Sequence, residues 1–92
     1  MNVTFDPAKD AANVVSHGIS LNSAAQLDWE TLSVKPDTRR NYGELRMIGL
    51  ALMASRLYCV VFVDREQSKR IISLRKANAR EVAKYAKDVN NT

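Results

Sequence analysis

Residues 69–85, KRIISLRKANAREVAKY, decide the fold of this chain. The first part predicts a strand over residues 69–74, because Ile71, Ile72 and Leu74 are bulky apolar residues bounded by charged ones. After a short turn, Asn78 is a good helix N-cap, and Glu81 stands three residues later, where its carboxylate can accept from the N-cap amide. The stretch is therefore a strand followed directly by a helix.

Two stripes of side chains run along that helix. The apolar residues recur at i, i+3, i+4 and i+7, which predicts one buried face: Val82, Tyr85, Ala86 and Val89. The cations recur on another side: Lys76, Arg80, Lys84 and Lys87. Between residues 65 and 87, eight Lys or Arg residues stand against two acids, a net charge of +6, whereas the whole chain carries +4. The positive field is concentrated on this unit, which predicts an anionic partner.

The composition is that of one small globular domain, which we expect to span residues 1–92. A single cysteine excludes an internal disulfide, and with His17 as the only other soft ligand a zinc site is not expected. Cys59 lies inside the apolar run 57–63 and is predicted to be buried. Neither a signal-peptide pattern nor an apolar run of ~20 residues is visible, so we expect a cytoplasmic protein that needs no membrane and no cofactor.

The N-terminal third predicts a short strand at residues 3–5 and two short helices. Asp6 as N-cap and Pro7 at the first helical position begin the first helix, which runs to His17 and ends at Gly18. Ser20 caps a second, shorter helix that extends to residue 26.

The remaining segments predict the strands of an antiparallel sheet. Residues 27–34 suit an edge strand or an extended segment, and 35–41 a polar loop. Residues 44–53 and 57–63 suit two further strands before the last one at 69–74. Their connections are of hairpin length. The predicted fold is α+β: two short N-terminal helices, an antiparallel sheet of about four strands, and a C-terminal helix packed on the sheet.

Three motifs resemble the BrnT family of type II toxin–antitoxin ribonucleases, whose fold is RelE-like. The first is DPxKxxxNxxxHGIS at residues 6–20, and the second comprises Gly43, Glu44, Arg46 and Gly49. The third is RIISxRKA at residues 70–77, followed by Arg80, Glu81 and Tyr85. They follow the family's order over nearly the whole chain. The chain departs from the family pattern at Phe5, where many relatives have Trp, and at Ser16, where a basic residue is usual.

The resemblance implies a toxin that cleaves RNA and arrests growth. It implies a BrnA-like antitoxin with a ribbon-helix-helix part, promoter DNA bound through that antitoxin, and a toxin–antitoxin heterotetramer.

RNA cleavage without a metal requires removal of the ribose 2′-OH proton, neutralisation of the phosphorane and protonation of the leaving oxygen. Arginine suits the middle task because its guanidinium binds phosphate oxygens in pairs. Arg75 is the favoured phosphate ligand, with a structural salt bridge as the alternative, and Arg70 and Arg46 are further candidates. In a regular strand Arg70 and Arg75 would point to opposite faces, unless the strand bends between them.

The proton-transfer candidates are Glu44, beside the basic residues, and His17, because histidine titrates near neutral pH. Glu44 could instead orient Arg46 or lie isolated at the surface, and His17 could satisfy helix carbonyls or pack on the core. Four residues are candidates for RNA binding: Lys76, Arg80, Lys84 and Tyr85. For these cations a solvated helix face is the alternative, and for Tyr85 it is core packing.

Two other functions fit the same residues. One is a non-catalytic nucleic-acid-binding module that uses the basic strand and helix for phosphates. The other is an inactive toxin that persists only as a partner of its antitoxin.

Overall fold

The computed structural model describes residues 1–90 and has an α+β fold built on one five-stranded sheet. The strands are β1 (Val3–Thr4), β2 (Asp28–Pro36), β3 (Met47–Met53), β4 (Arg56–Arg65) and β5 (Ser68–Lys76). Two α-helices, α1 (Pro7–His17) and α2 (Ala79–Asn90), and a 3₁₀ helix (Leu21–Gln26) complete the fold. The spatial order of the strands is β1-β5-β4-β3-β2. Residues 91 and 92 of the expected domain lie outside the described part.

The strand count and some boundaries differ from the prediction. The N-terminal strand is a fifth member of the sheet and runs parallel to β5, whereas the other pairings are antiparallel. The second predicted helix is a 3₁₀ helix. Strand β2 continues through Pro36 into the predicted loop, which an edge strand tolerates because proline lacks only an N–H. Strand β3 begins at Met47 rather than at residue 44, because the preceding loop, in which Gly43 adopts the left-handed region with φ of 75°, continues through Arg46.

A β-bulge in β5 decides which side chains share a face. Val61 pairs with Ser73 and Phe62 pairs with Ile71, so Ile72 is an extra residue without a partner in β4. Ile71 and Leu74 are consequently both fully buried on one face, although they are three residues apart. The same shift places their neighbours Arg70 and Arg75 together on the opposite face.

The two faces of the sheet differ in how they are covered. One, the core face, packs against α1 and the 3₁₀ helix around Val60, Phe62, Ile71 and Leu74. The opposite face carries Ile48, Leu50, Cys59, Val61 and Val63, together with Arg70 and Arg75, and is called the open face below. Cys59 is buried, as predicted.

Asn13 of α1 fastens the helix to the sheet beside the bulge. It is a buried polar residue whose amide donates to the carbonyl oxygens of Ile19 and Leu74, both at 2.8 Å, and accepts from the Leu74 N–H at 3.2 Å. The caps of α1 are those predicted: the Asp6 carboxylate accepts from the Ala8 N–H, and Gly18 adopts φ of 70°.

Helix α2 begins at the predicted capping box but does not bury its apolar stripe. The Asn78 N–H donates to Glu81 Oε1 at 2.9 Å and the Glu81 N–H donates to Asn78 Oδ1 at 2.8 Å. No α2 residue is buried, and Val82 is 43% exposed. The prediction of a buried stripe was wrong because polar contacts set the rotation of the helix. Glu81 binds Arg75, and the Tyr85 hydroxyl donates to the Thr31 carbonyl at 2.8 Å, so this polar side faces the sheet.

Candidate nucleic-acid interface

Two arginines flank Val63 on the open face. Val63 pairs with Arg70 of β5 on one side. On the other side, Met47 pairs with Phe62, so Arg46, one residue before β3, lies beside Val63 and projects to the face opposite Met47. Two strand spacings, about 10 Å, separate the Arg46 and Arg70 backbones. The Arg70 guanidinium makes no ion pair or hydrogen bond within residues 1–90.

Arg46 is held by an aromatic ring and a distant carboxylate. Its guanidinium stacks 4.0 Å from the centre of the Tyr42 ring, and Glu44 Oε1 lies 4.0 Å from its Nε. This Nε is buried and has no hydrogen-bond partner within the described residues. Glu44 also faces Arg65, whose Nη2 lies 3.5 Å from Oε2. The predicted proximity of Glu44 to the basic residues is therefore present, with contacts too long for strong pairing.

A buried carboxylate fixes the loop that carries Arg46. Asp37 accepts from the Arg39 side chain at 2.8 and 2.7 Å and from the Tyr42 hydroxyl at 3.3 Å. Its own N–H donates to the Arg46 carbonyl at 2.8 Å, which closes the loop. The hydrogen bonds from Arg39 hold the pKa of Asp37 well below its usual range. Sequence reasoning missed this anchor, because a polar loop gives no signal that one of its acids is buried.

Arg75 lies on the same face but apart from the other two arginines. It projects beside Cys59, which is four residues, or about 13 Å, from Val63 along β4. Its guanidinium makes a bidentate ion pair with Glu81, at 2.8 and 3.0 Å. These hydrogen bonds raise the pKa of Arg75 and lower the pKa of Glu81. The structure thus pairs this candidate phosphate ligand with a carboxylate, although its side chain remains 34% exposed.

A cavity of about 250 Å³ separates α2 from the sheet. Lys84 contributes to its helix wall, while Lys35 and Cys59 contribute to its sheet wall. Burial raises the pKa of the Cys59 thiol to about 11, so the cysteine is a packing residue rather than a nucleophile. The two lysines add positive charge between Arg75 and the edge strand β2.

The other predicted site residues are dispersed. His17 lies at the end of α1 in a hollow with Lys9, Ser16 and Ile72, and none of the arginines borders that hollow. Lys76 pairs with Tyr58 and shares the core-face orientation of Leu74, away from Arg75.

Arg80 is exposed on α2, and Tyr85 uses its hydroxyl to hold the helix. The structure therefore brings together Arg46, Glu44 and Arg70, places Arg75 and Lys84 nearby on the same face, and leaves His17 and Lys76 elsewhere.

Neither a metal-ligand cluster nor a membrane-spanning helix occurs in the described part of the chain. No group of three or more His, Cys, Asp or Glu side chains is placed to hold a metal ion. Among residues 1–90, no helix is both long enough and apolar enough to cross a bilayer.

Comparison with known proteins identifies the family. No curated protein matches the chain. A family model described as "Ribonuclease toxin, BrnT, of type II toxin-antitoxin system" matches residues 5–81. The match covers all three motifs up to Glu81, including the arginines of the open face and the loop that carries Arg46. The chain therefore belongs to the BrnT family of ribonuclease toxins of type II toxin–antitoxin systems, in which RNA is the substrate and an antitoxin is the partner.

Proposed function

We propose that the open face is the RNA-binding and catalytic surface of a metal-independent endoribonuclease. The observation that carries this proposal is the bulge at Ile72, which turns Arg70 and Arg75 to the face that also holds Arg46. Without the bulge the two β5 arginines would lie on opposite faces. A face on which guanidinium groups project beside the buried side chains of Cys59, Val61 and Val63 suits a phosphate backbone.

The chemistry is transesterification within the RNA. The 2′-OH loses its proton and the 2′-oxygen attacks the adjacent phosphorus, so that the 2′-O–P bond forms and the P–O5′ bond breaks. The departing 5′-oxygen takes a proton from water, which leaves a 2′,3′-cyclic phosphate and a 5′-hydroxyl. Arg46 and Arg70, on either side of Val63, would neutralise the charge that develops on the phosphorane oxygens. The buried Nε of Arg46 has no hydrogen-bond partner within the described residues, so a phosphate oxygen would satisfy it only if the side chain moved on binding RNA.

Glu44 is the candidate general base for the 2′-OH proton, because it is the carboxylate nearest to Arg46. Arg75, Lys84 and Arg80 would bind the RNA backbone beyond the scissile phosphate. Tyr85 could stack a base only with its ring, since its hydroxyl is engaged. His17 and Lys76 lie away from this surface, so any contribution they make would be to more distant parts of the RNA.

The test is cleavage of a fluorescent RNA oligonucleotide by the purified chain, with a chelator present and with magnesium present. We expect the same rate in both conditions, and a loss of roughly 10²- to 10³-fold for Arg70→Ala and for Arg46→Ala. Arg56→Ala is the matched control, because Arg56 is an exposed arginine at the opposite end of β4 from Arg65. Equal rates for the Arg70 and Arg56 variants would refute the proposed site. RNA binding without cleavage by the wild type would support a binding module instead.

A comparison of variants at Arg75 and at its partner Glu81 distinguishes phosphate binding by Arg75 from a purely structural role. Glu81→Gln keeps an acceptor for the Asn78 amide but removes the charge that holds Arg75. If Arg75 binds phosphate, Arg75→Ala lowers cleavage while Glu81→Gln leaves it unchanged or raises it. If Arg75 only anchors α2, both variants cleave as the wild type does, provided that both are folded.

We further propose that the partner is a BrnA-like antitoxin with a ribbon-helix-helix part, that the two proteins form a heterotetramer in the cytoplasm, and that the complex binds its own promoter DNA. Family membership supports this proposal. Co-expression with the protein encoded by the next reading frame should restore growth. Sedimentation of the purified complex then tests its stoichiometry, and a promoter mobility shift tests DNA binding.

A further inference from the structure

The apolar side of α2 borders an open groove. Val82 and Ala86 face away from the polar contacts that bind the helix to the sheet, and Val82 is 43% exposed. Beneath them, the end of the sheet contributes Leu52 and Leu57 to a hollow of about 610 Å³. This α2 groove is the surface between the apolar side of α2 and the β3–β4 turn. Adjacent exposed apolar side chains of this kind are typical of interaction sites.

The groove has the shape of a helix-binding site. Ala79, Ala83 and Ala86 recur at i, i+4 and i+7, and their small side chains let a second helix approach closely. Val82, between them, provides an apolar ridge. An amphipathic helix with apolar residues at i, i+3, i+4 and i+7 would bury both surfaces.

The borders of the groove are basic. Arg80 and Lys87 follow the groove on one side along α2, and Arg56 begins β4 on the other. None of these three makes an ion pair within the part of the chain that the structure describes. A second copy of this chain would bring the same cations face to face, which is unfavourable, whereas acidic residues on a partner would be attracted to both borders.

We propose that the α2 groove binds an acidic amphipathic helix of the antitoxin. This inference rests on the assignment of the chain as a toxin with a protein partner, and it adds where that partner binds and with what chemistry. The apolar side chains supply the contact area, and the cations select an acidic partner over a basic one.

The probes are two stapled helical peptides as long as α2, which has 12 residues. Both carry leucines at i, i+3, i+4 and i+7; one has glutamates at the flanking positions and the other has lysines. Fluorescence anisotropy should show binding of the glutamate peptide only, with an affinity that falls as salt is added. Val82→Glu should weaken that binding at least about tenfold, because it places a like charge in the apolar contact.

Val14→Glu is the matched control, since Val14 is 45% exposed on α1, on the other side of the sheet. Lys87→Glu should weaken binding of the glutamate peptide. It should not weaken binding of a third peptide that has glutamines in place of the glutamates. If Val82→Glu unfolds, Ala86→Glu at the neighbouring exposed position replaces it.

Three results would overturn the proposal: equal binding of both peptides, equal effects of the Val82 and Val14 variants, or a self-association in sedimentation that Val82→Glu abolishes. RNA cleavage is measured on the same samples. If the wild type cleaves RNA but does not bind the peptide, only this inference is refuted. If it binds the peptide but does not cleave RNA, only the proposed ribonuclease site is refuted.

Discussion

Replacing Glu81 with alanine should lower the free energy of unfolding by about 1.5 kcal/mol. The substitution removes two kinds of contact at once. The bidentate pair with Arg75, at 2.8 and 3.0 Å, is partly exposed to solvent and is therefore worth about 1 kcal/mol rather than the value of a buried pair. The hydrogen bond from the Asn78 N–H adds about 0.5 kcal/mol, as one half of a capping box. For a domain of this size, the melting temperature should fall by about 9 °C.

A double-mutant cycle separates the two contributions. Arg75→Ala alone should lower the free energy of unfolding by about 1 kcal/mol, and the coupling energy between residues 75 and 81 should also be about 1 kcal/mol. Urea denaturation followed by circular dichroism measures all four variants. Asp64→Ala is the control, because Asp64 pairs with Lys69 at 2.6 Å but is 63% exposed, so its loss should have an effect below about 0.5 kcal/mol. A coupling energy below about 0.3 kcal/mol would refute the idea that this pair holds α2 to the sheet.

The same pair predicts a pH dependence of stability. Arg75 lowers the pKa of Glu81 in the folded state below the ordinary value of 4.5, so the unfolded chain binds the proton more tightly. The stabilisation is complete above about pH 4.5 and is lost as the pH falls through the lowered pKa. The stability difference between the wild type and Glu81→Gln should therefore shrink on acidification below pH 4.5, and a constant difference down to pH 2 would contradict the assignment.

Two further predictions concern the interior of the fold. Asn13→Ala should lower the free energy of unfolding, measured by urea titration, by about 3 kcal/mol. It removes three hydrogen bonds and leaves the buried N–H and C=O of Leu74 without partners. Asn22→Ala, at an exposed position, is the control and should change this free energy by less than about 0.5 kcal/mol. Cys59 should react with a disulfide reagent at pH 8 far more slowly in the folded protein than in denaturant, because its pKa is raised to about 11 by burial, and equal absorbance time courses would show that the thiol is accessible.

Local sequence signals were sufficient for both ends of α1 and for the start of α2. Asp6, Pro7 and Gly18 determine α1, and Asn78 with Glu81 determines the start of α2, because caps are satisfied by residues only a few positions apart. The buried strand around Cys59 was equally readable from its continuous apolar run. The resemblance carried by the three motifs led to the family that the comparison confirmed.

Contacts between residues distant in sequence determine which side chains share a face of the sheet and how α2 is rotated. The extra residue at Ile72 brings Arg70 and Arg75 to one face, and a strand pattern read with a period of two predicts the opposite. The polar contacts of Glu81 and Tyr85 set the rotation of α2, so the stripe expected in the core faces solvent.

Sequence alone thus determined the start of each α-helix, the central strand, the basic character of the chain and its family, since these depend on residue type and on neighbours along the chain. Which arginines share the open face depends on the register of the strands, and the exposure of the α2 groove depends on the rotation of α2. Both are set by contacts between residues distant in sequence, such as that of Asn13 with Leu74, and only the tertiary structure shows them.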